Sequence, residues 1–283
     1  MYDLTNIATL HQIFEECGFS LKKGLGQNFI VDSTVCPRIA ESANIDGKCV
    51  LEIGPGAGVL TCELAKRAKK VLCVELDTKL EPILSKTLVD FNNTEVYFGD
   101  IMKVNLSELI KEKFGNERIC VSANLPYYIT SPIIMMLLES GLPIDSITVM
   151  VQKEAAERLC AEMGTRECGA VTAAVRYYSE PKLLFRIEKG AFLPPPKVDS
   201  AVIRLDLKSA DELAKVNSKN FFKVIRAAFS MRRKTLANCL VSKLEGCDKD
   251  RIADSFAKCG IDSGSRAEQL SMEDFYNLTN ELF

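Results

Sequence analysis

Between residues 49 and 162 the chain repeats one pattern: a short, continuously apolar run followed by a stretch with helical spacing. The runs at 49–53, 71–75, 95–98, 119–123 and 146–152 read as strands. The stretches at 58–68, 78–89, 130–139 and 153–162 read as helices. Strands that are apolar throughout have no face to give to solvent. Alternated with helices, they predict a parallel sheet covered on both sides. Three later runs, 171–178, 182–188 and 199–207, have no long helix between them. They are expected to finish the sheet as strands, with an antiparallel hairpin at its edge, and Pro194-Pro195-Pro196 holds the loop between the last two extended.

The flanking segments read differently. Leu4, Ile7, Leu10, Ile13, Phe14 and Cys17 recur at helical spacing, and Gly18 stops that helix. Asp32 or Ser33 is expected to cap a second helix ending near Asn44. From about Ser209 the pattern is helical, over 211–216, 218–229, 233–244, 248–257 and 271–281. The expected fold class is a doubly wound α/β sheet over residues 1–208 with a smaller all-helical domain over 209–283, a division that suits 283 residues.

Composition narrows the chemistry. The net charge is −2, so a nucleic-acid partner has to be argued from a local patch. The apolar run Ile133-Ile134-Met135-Met136-Leu137-Leu138 falls far short of the roughly 18–20 residues of a membrane helix. The N-terminus has no basic-then-apolar leader pattern, and a monomer in the cytoplasm is expected. None of the 11 cysteines is spaced Cys-x-x-Cys, and His11 is the one histidine. No metal site, disulfide framework or histidine base is expected; the thiols serve as small apolar residues.

Glu52-Ile53-Gly54-Pro55-Gly56-Ala57-Gly58 joins the first strand of the repeat to its helix. Glycines there let backbone approach a ligand closely. The spacing is neither that of a P-loop nor Gly-x-Gly-x-x-Gly, the dinucleotide pattern, so a nicotinamide oxidoreductase is the weaker reading. Glu75 ends the next strand, where a carboxylate can accept from both hydroxyls of a ribose. Asp100 follows the third, where it can accept from the amino group of an adenine. Loop, Glu75 and Asp100 together suit an adenosine-bearing cofactor.

Asn124-Leu125-Pro126-Tyr127 follows the fourth strand and opens into the same crevice. The lone pair of adenine N6 is delocalised into the ring, which makes N6 a poor nucleophile. Two acceptors aimed at its N–H bonds, the Asn124 side-chain oxygen and the Leu125 carbonyl, draw it towards a tetrahedral geometry. Pro126 stiffens the turn, and Tyr127 offers a flat face to an unstacked base.

On these segments, and on Gly26-Gln27-Asn28-Phe29, Phe192-Leu193-Pro194-Pro195-Pro196-Lys197-Val198-Asp199-Ser200, Arg232-Arg233-Lys234-Thr235-Leu236 and Arg266-Ala267-Glu268-Gln269-Leu270, the chain resembles the bacterial small-subunit ribosomal RNA adenine dimethyltransferase A family. The resemblance covers nearly the whole chain. Five segments, Gly26 to Phe29, the Glu52-to-Gly58 loop, Glu75, Asp100 and Asn124 to Tyr127, are shared with the antibiotic-resistance methyltransferases of large-subunit RNA, and the last two favour the small-subunit branch. It implies a Rossmann-like methyltransferase domain using S-adenosyl-L-methionine, with cofactor contacts at Asn28, the backbone of Ile30, Gly54, Gly56, Glu75, Asp100 and Asn124. It makes Phe192 the second aromatic flanking the target base, opposite Tyr127. The implied reaction is dimethylation of N6 on two adjacent adenines, in the hairpin loop near the 3′ end of small-subunit RNA, within an assembling subunit.

From Leu213 to Leu244 there are eight Lys or Arg and no Asp or Glu. This stretch, with Arg226, Arg232, Arg233 and Lys234, is the expected phosphate-binding face, and Lys22 and Lys23 add charge near the cofactor entrance.

Overall fold

In the computed structural model, residues 2–20 and 27–283 are described. Among the described residues nine strands form in chain order: β1 (Phe29–Ile30), β2 (Cys49–Ile53), β3 (Lys70–Glu75), β4 (Thr94–Phe98), β5 (Ile119–Asn124), β6 (Ile144–Gln152), β7 (Ser179–Ile187), β8 (Phe192–Leu193) and β9 (Ser200–Leu207). Seven of them make one sheet in the order β4-β3-β2-β5-β6-β9-β7. From β4 to β6 the pairing is parallel; β9 then runs antiparallel to β6. Val50 and Leu51 point to opposite faces and are both fully buried, so helices cover both sides of the sheet, as its apolar strands require. The strand order reverses between β2 and β5, and the loops leaving those two strands open a crevice at their carboxyl ends. β1 and β8 pair as a separate two-stranded ribbon, Ile30 opposite Phe192.

The chain divides into two compact units. One holds Met1–Ala156 with Lys182–Asp206; the other holds Glu157–Pro181 with Leu207–Phe283. The expected single cut at 208 therefore omits a segment that leaves the first unit after β6 and returns at β7. Its centre, expected as a strand over 171–178, is the helix Ala170–Tyr178. β-Branched and aromatic residues gave it the look of a strand. Its apolar residues nevertheless recur at helical spacing, and Ala173 and Tyr177 join a core with Phe221 and Phe275. Tyr177 stacks on Phe221 at 4.8 Å and donates its hydroxyl to the Leu213 carbonyl at 3.1 Å.

Two further differences are local. The helix Leu106–Phe114, capped by the Asn105 side chain, falls in a stretch to which the sequence assigned no element; five polar residues in nine mask its apolar stripe. The helix Val35–Ser42 is not capped by Asp32 or Ser33. The Asp32 carboxylate instead accepts from the backbone and hydroxyl of Thr34, closing a turn one step earlier. All 11 cysteines are free and eight are buried. No helix among the described residues is long and apolar enough to cross a membrane.

Candidate active site

The loop after β2 takes its shape from positive φ at Gly54 (69°), Gly56 (60°) and Gly58 (89°). A side chain at Gly58 would meet Thr87 Oγ1 at 3.0 Å and Leu88 at 3.2 Å, so both torsion and space demand glycine. Gly54 donates to the Val74 carbonyl of the neighbouring strand at 2.9 Å, which pins the loop to β3. At Gly56 a Cβ would stand 3.3 Å from the Phe29 ring. The backbone is thus bare along the wall where a ligand would lie.

Glu75, at the end of β3, is buried. One carboxylate oxygen accepts from Gly56 N at 3.3 Å and the other from Asp77 N at 2.8 Å. Burial raises its pKa, and the backbone N–H groups of Asp77, Gly56 and Leu76 oppose the rise. Each oxygen keeps a lone pair for a second donor. Asp100, past β4, is half-buried; it accepts from Met102 N at 3.0 Å and lies 3.3 Å from the exposed Lys103 ammonium.

Asn124 ends β5. Its Nδ2 donates to the Asn28 carbonyl at 3.2 Å. A carbonyl can only accept, so this contact fixes the amide with its oxygen turned away from Asn28. The next turn is held from behind: Leu125 N donates to the Met150 carbonyl at 3.2 Å, and Pro126 O accepts from Ile129 N and the Thr130 hydroxyl, both at 3.2 Å. The half-buried Tyr127 has its hydroxyl 2.6 Å from that of Ser200 on β9, which anchors the tip of the ring.

These residues share one cavity of about 1080 Å³, counting the space at its open mouth. Asn28, Ile30, Gly54, Gly56, Glu75, Asp100 and the whole tetrad from Asn124 to Tyr127 line it. Phe192 does not. It is 3% exposed and packed with Ile30, Val35 and Ile39 in the core, because the short β1–β8 ribbon turns its ring inward. In this conformation Phe192 thus stands behind the cavity wall and not at its surface. Arg226, Arg232, Arg233 and Lys234 belong to the second unit, where all four are exposed and none pairs with a described acid. Lys22, Lys23 and Gly26 lie outside the described residues.

Leu76, Ile101 and Glu52 also line the cavity, and the sequence assigned none of them a role. Leu76 and Ile101 each follow a site carboxylate and present apolar surface beside it; the signal was their position one residue past Glu75 and Asp100. Glu52 also lines the cavity and is 1% exposed. Burial pushes its pKa up to about 7, against the Cys73 thiol that donates to it at 3.4 Å. An acid inside an otherwise apolar strand was the available cue.

The family model for ribosomal RNA adenine dimethylase matches residues 18–283. The chain belongs to the ribosomal RNA adenine dimethylase family. Relatives of this dimethylase include the ribosomal RNA small subunit methyltransferase A of Geobacillus thermodenitrificans, 44% identical over 99% of this chain and 97% of that protein. The protein of the same description from Alkaliphilus oremlandii is 42% identical over 96% and 95%. Among solved structures, a dimethyladenosine transferase from Plasmodium falciparum superposes with a TM-score of 0.76 at 27% identity, covering 88% of this chain and 95% of that one. The 23S ribosomal RNA methyltransferase ErmE does so at 0.71 and 27%, covering 90% and 99%. As a member of the dimethylase family, the chain is a methyltransferase that uses S-adenosyl-L-methionine.

Proposed function

We propose that this dimethylase acts on small-subunit ribosomal RNA and converts two adjacent adenines near the 3′ end to N6,N6-dimethyladenine in an assembling subunit. The observation that carries the chemistry is the Asn124 amide, whose nitrogen is committed to the Asn28 carbonyl so that its oxygen serves as acceptor within the cavity. The small-subunit target rests on the full-length relatives described as methyltransferase A.

The cavity suits the methyl donor. Gly54 and Gly56 expose backbone, Glu75 retains lone pairs for ribose hydroxyls, and Asp100 accepts from an adenine amino group between the apolar side chains of Leu76 and Ile101. Asn28 and the backbone of Ile30 complete the holding set. When bound, S-adenosyl-L-methionine supplies an electrophilic methyl group on a sulfonium sulfur. The protein's part is orientation. The Asn124 oxygen and the Leu125 carbonyl accept hydrogen bonds from the two N6–H groups and localise the nitrogen lone pair, while Tyr127, anchored through Ser200, supports the base face. The proton is lost after transfer, so no strong base is required. Arg226, Arg232, Arg233 and Lys234 give the second unit a phosphate-binding face.

Tritiated methyl transfer to unmethylated small and large subunits tests the reading. Label in the small-subunit RNA, recovered as N6,N6-dimethyladenine, is expected. Transfer confined to the large subunit would overturn it in favour of the resistance-type reaction.

A further inference from the structure

Tyr128 is the exposed aromatic of the cavity mouth. It lines the same cavity as Tyr127 yet keeps 59% of its surface in solvent. Among the described residues its ring stacks on no other aromatic and its hydroxyl has no hydrogen-bond partner, whereas Tyr127 is tied to Ser200. Both sit in one short 3₁₀ turn, Tyr127–Ile129. Such a turn has about three residues per revolution, so neighbouring side chains diverge by about 120°. The two rings cannot sandwich one base, and Tyr128 does not replace the buried Phe192.

We infer that Tyr128 is the stacking platform for the nucleobase adjoining the one in the cavity. Drawing one base out of an RNA strand strips its neighbour of a stacking partner, and an exposed ring at the mouth supplies another. A flat aromatic face accepts any base, so the platform positions the strand without reading sequence. The inference rests on the RNA-methylating reading above. Under it, Tyr128 holds the second adenine while the first is modified, which gives a pair of adjacent targets a structural basis.

The test places 2-aminopurine at the position beside the target adenine in small-subunit RNA. It compares the wild-type chain with Tyr128→Ala and Tyr128→Phe. Stacking quenches the probe. In the bound state, neighbour fluorescence is expected to rise for Tyr128→Ala and stay quenched for Tyr128→Phe, with the KM for RNA about tenfold higher in the alanine variant and within about twofold of wild type in the phenylalanine variant. Unchanged neighbour fluorescence and KM in Tyr128→Ala, with circular dichroism showing a native fold, would overturn the inference alone. If the wild-type chain methylates no small-subunit RNA, the underlying function fails first and is recognised by that result.

Discussion

The contact between Asn124 and Asn28 allows a graded test of the acceptor geometry. Asn124→Ala removes the oxygen proposed to orient N6. Removing one preorganised polar group of this kind costs about 2.7–4 kcal/mol, or roughly 10²–10³ in rate. Asn124→Asp keeps an acceptor of the same shape but cannot donate to the Asn28 carbonyl, 3.2 Å from Nδ2. Losing that neutral hydrogen bond costs about 0.5–1.5 kcal/mol, and two facing oxygens add a desolvation cost of about 1–3 kcal/mol. Against this, a carboxylate stabilises the positive charge that grows on N6 as the methyl arrives. The expected order of rates is wild type, then aspartate at about a tenth, then alanine at a hundredth or less. The assay is single-turnover transfer of tritiated methyl at saturating cofactor, which isolates chemistry from release. An alanine variant within tenfold of wild type would remove Asn124 from the acceptor role. An aspartate variant slower than alanine would show that the bond to Asn28 matters and the acceptor does not.

Three further outcomes follow from the geometry. The folded chain holds the proton on Glu52 up to about pH 7, against an ordinary value of 4.5, so the stability this group contributes is complete below the lower value and lost as pH rises through the higher one. Glu52→Gln should therefore raise Tm by several degrees at pH about 8, where ionisation costs about 3 kcal/mol, and change it little near pH 4.5; a gain independent of pH contradicts this. Gly58→Ala forces a side chain into a φ of 89° and to 3.0 Å from Thr87 Oγ1, and should destabilise the fold by roughly 2–5 kcal/mol in urea titration; a loss under 1 kcal/mol would show the loop can relax. Arg232→Ala with Arg233→Ala should weaken RNA binding, leave cofactor affinity in place, and flatten the plot of log affinity against log salt by roughly two units; an unchanged slope takes these residues off the phosphate backbone.

The parallel half of the sheet was legible because its strands are too apolar to have a wet face. The cavity was legible because glycine loop, strand-end acids and tetrad each follow a strand. What the sequence left hidden has a common source. Helix Ala170–Tyr178 carries strand-like residue types, and only its packing against Phe221 makes the helical period decisive. Local sequence also does not reveal which way the two-residue strand Phe192–Leu193 turns the Phe192 ring. Glu52 was visible as a letter, whereas its burial depends on β3 and β5 on either side, contacts the local sequence does not encode.

The strand order also governs how the sheet can be completed. β9 lies between β6 and β7, although β7 precedes it in the chain. Until residues 200–207 are available, β6 has an unpaired edge and β7 has no strand to join. A chain emerging from its N-terminus thus carries an open, apolar sheet edge through the synthesis of some fifty residues after β6, among them the segment destined for the second unit. A truncation placed before β9 would leave that edge permanently open. One placed at 208 would close the sheet but strand the helix Ala170–Tyr178 without the core that buries it.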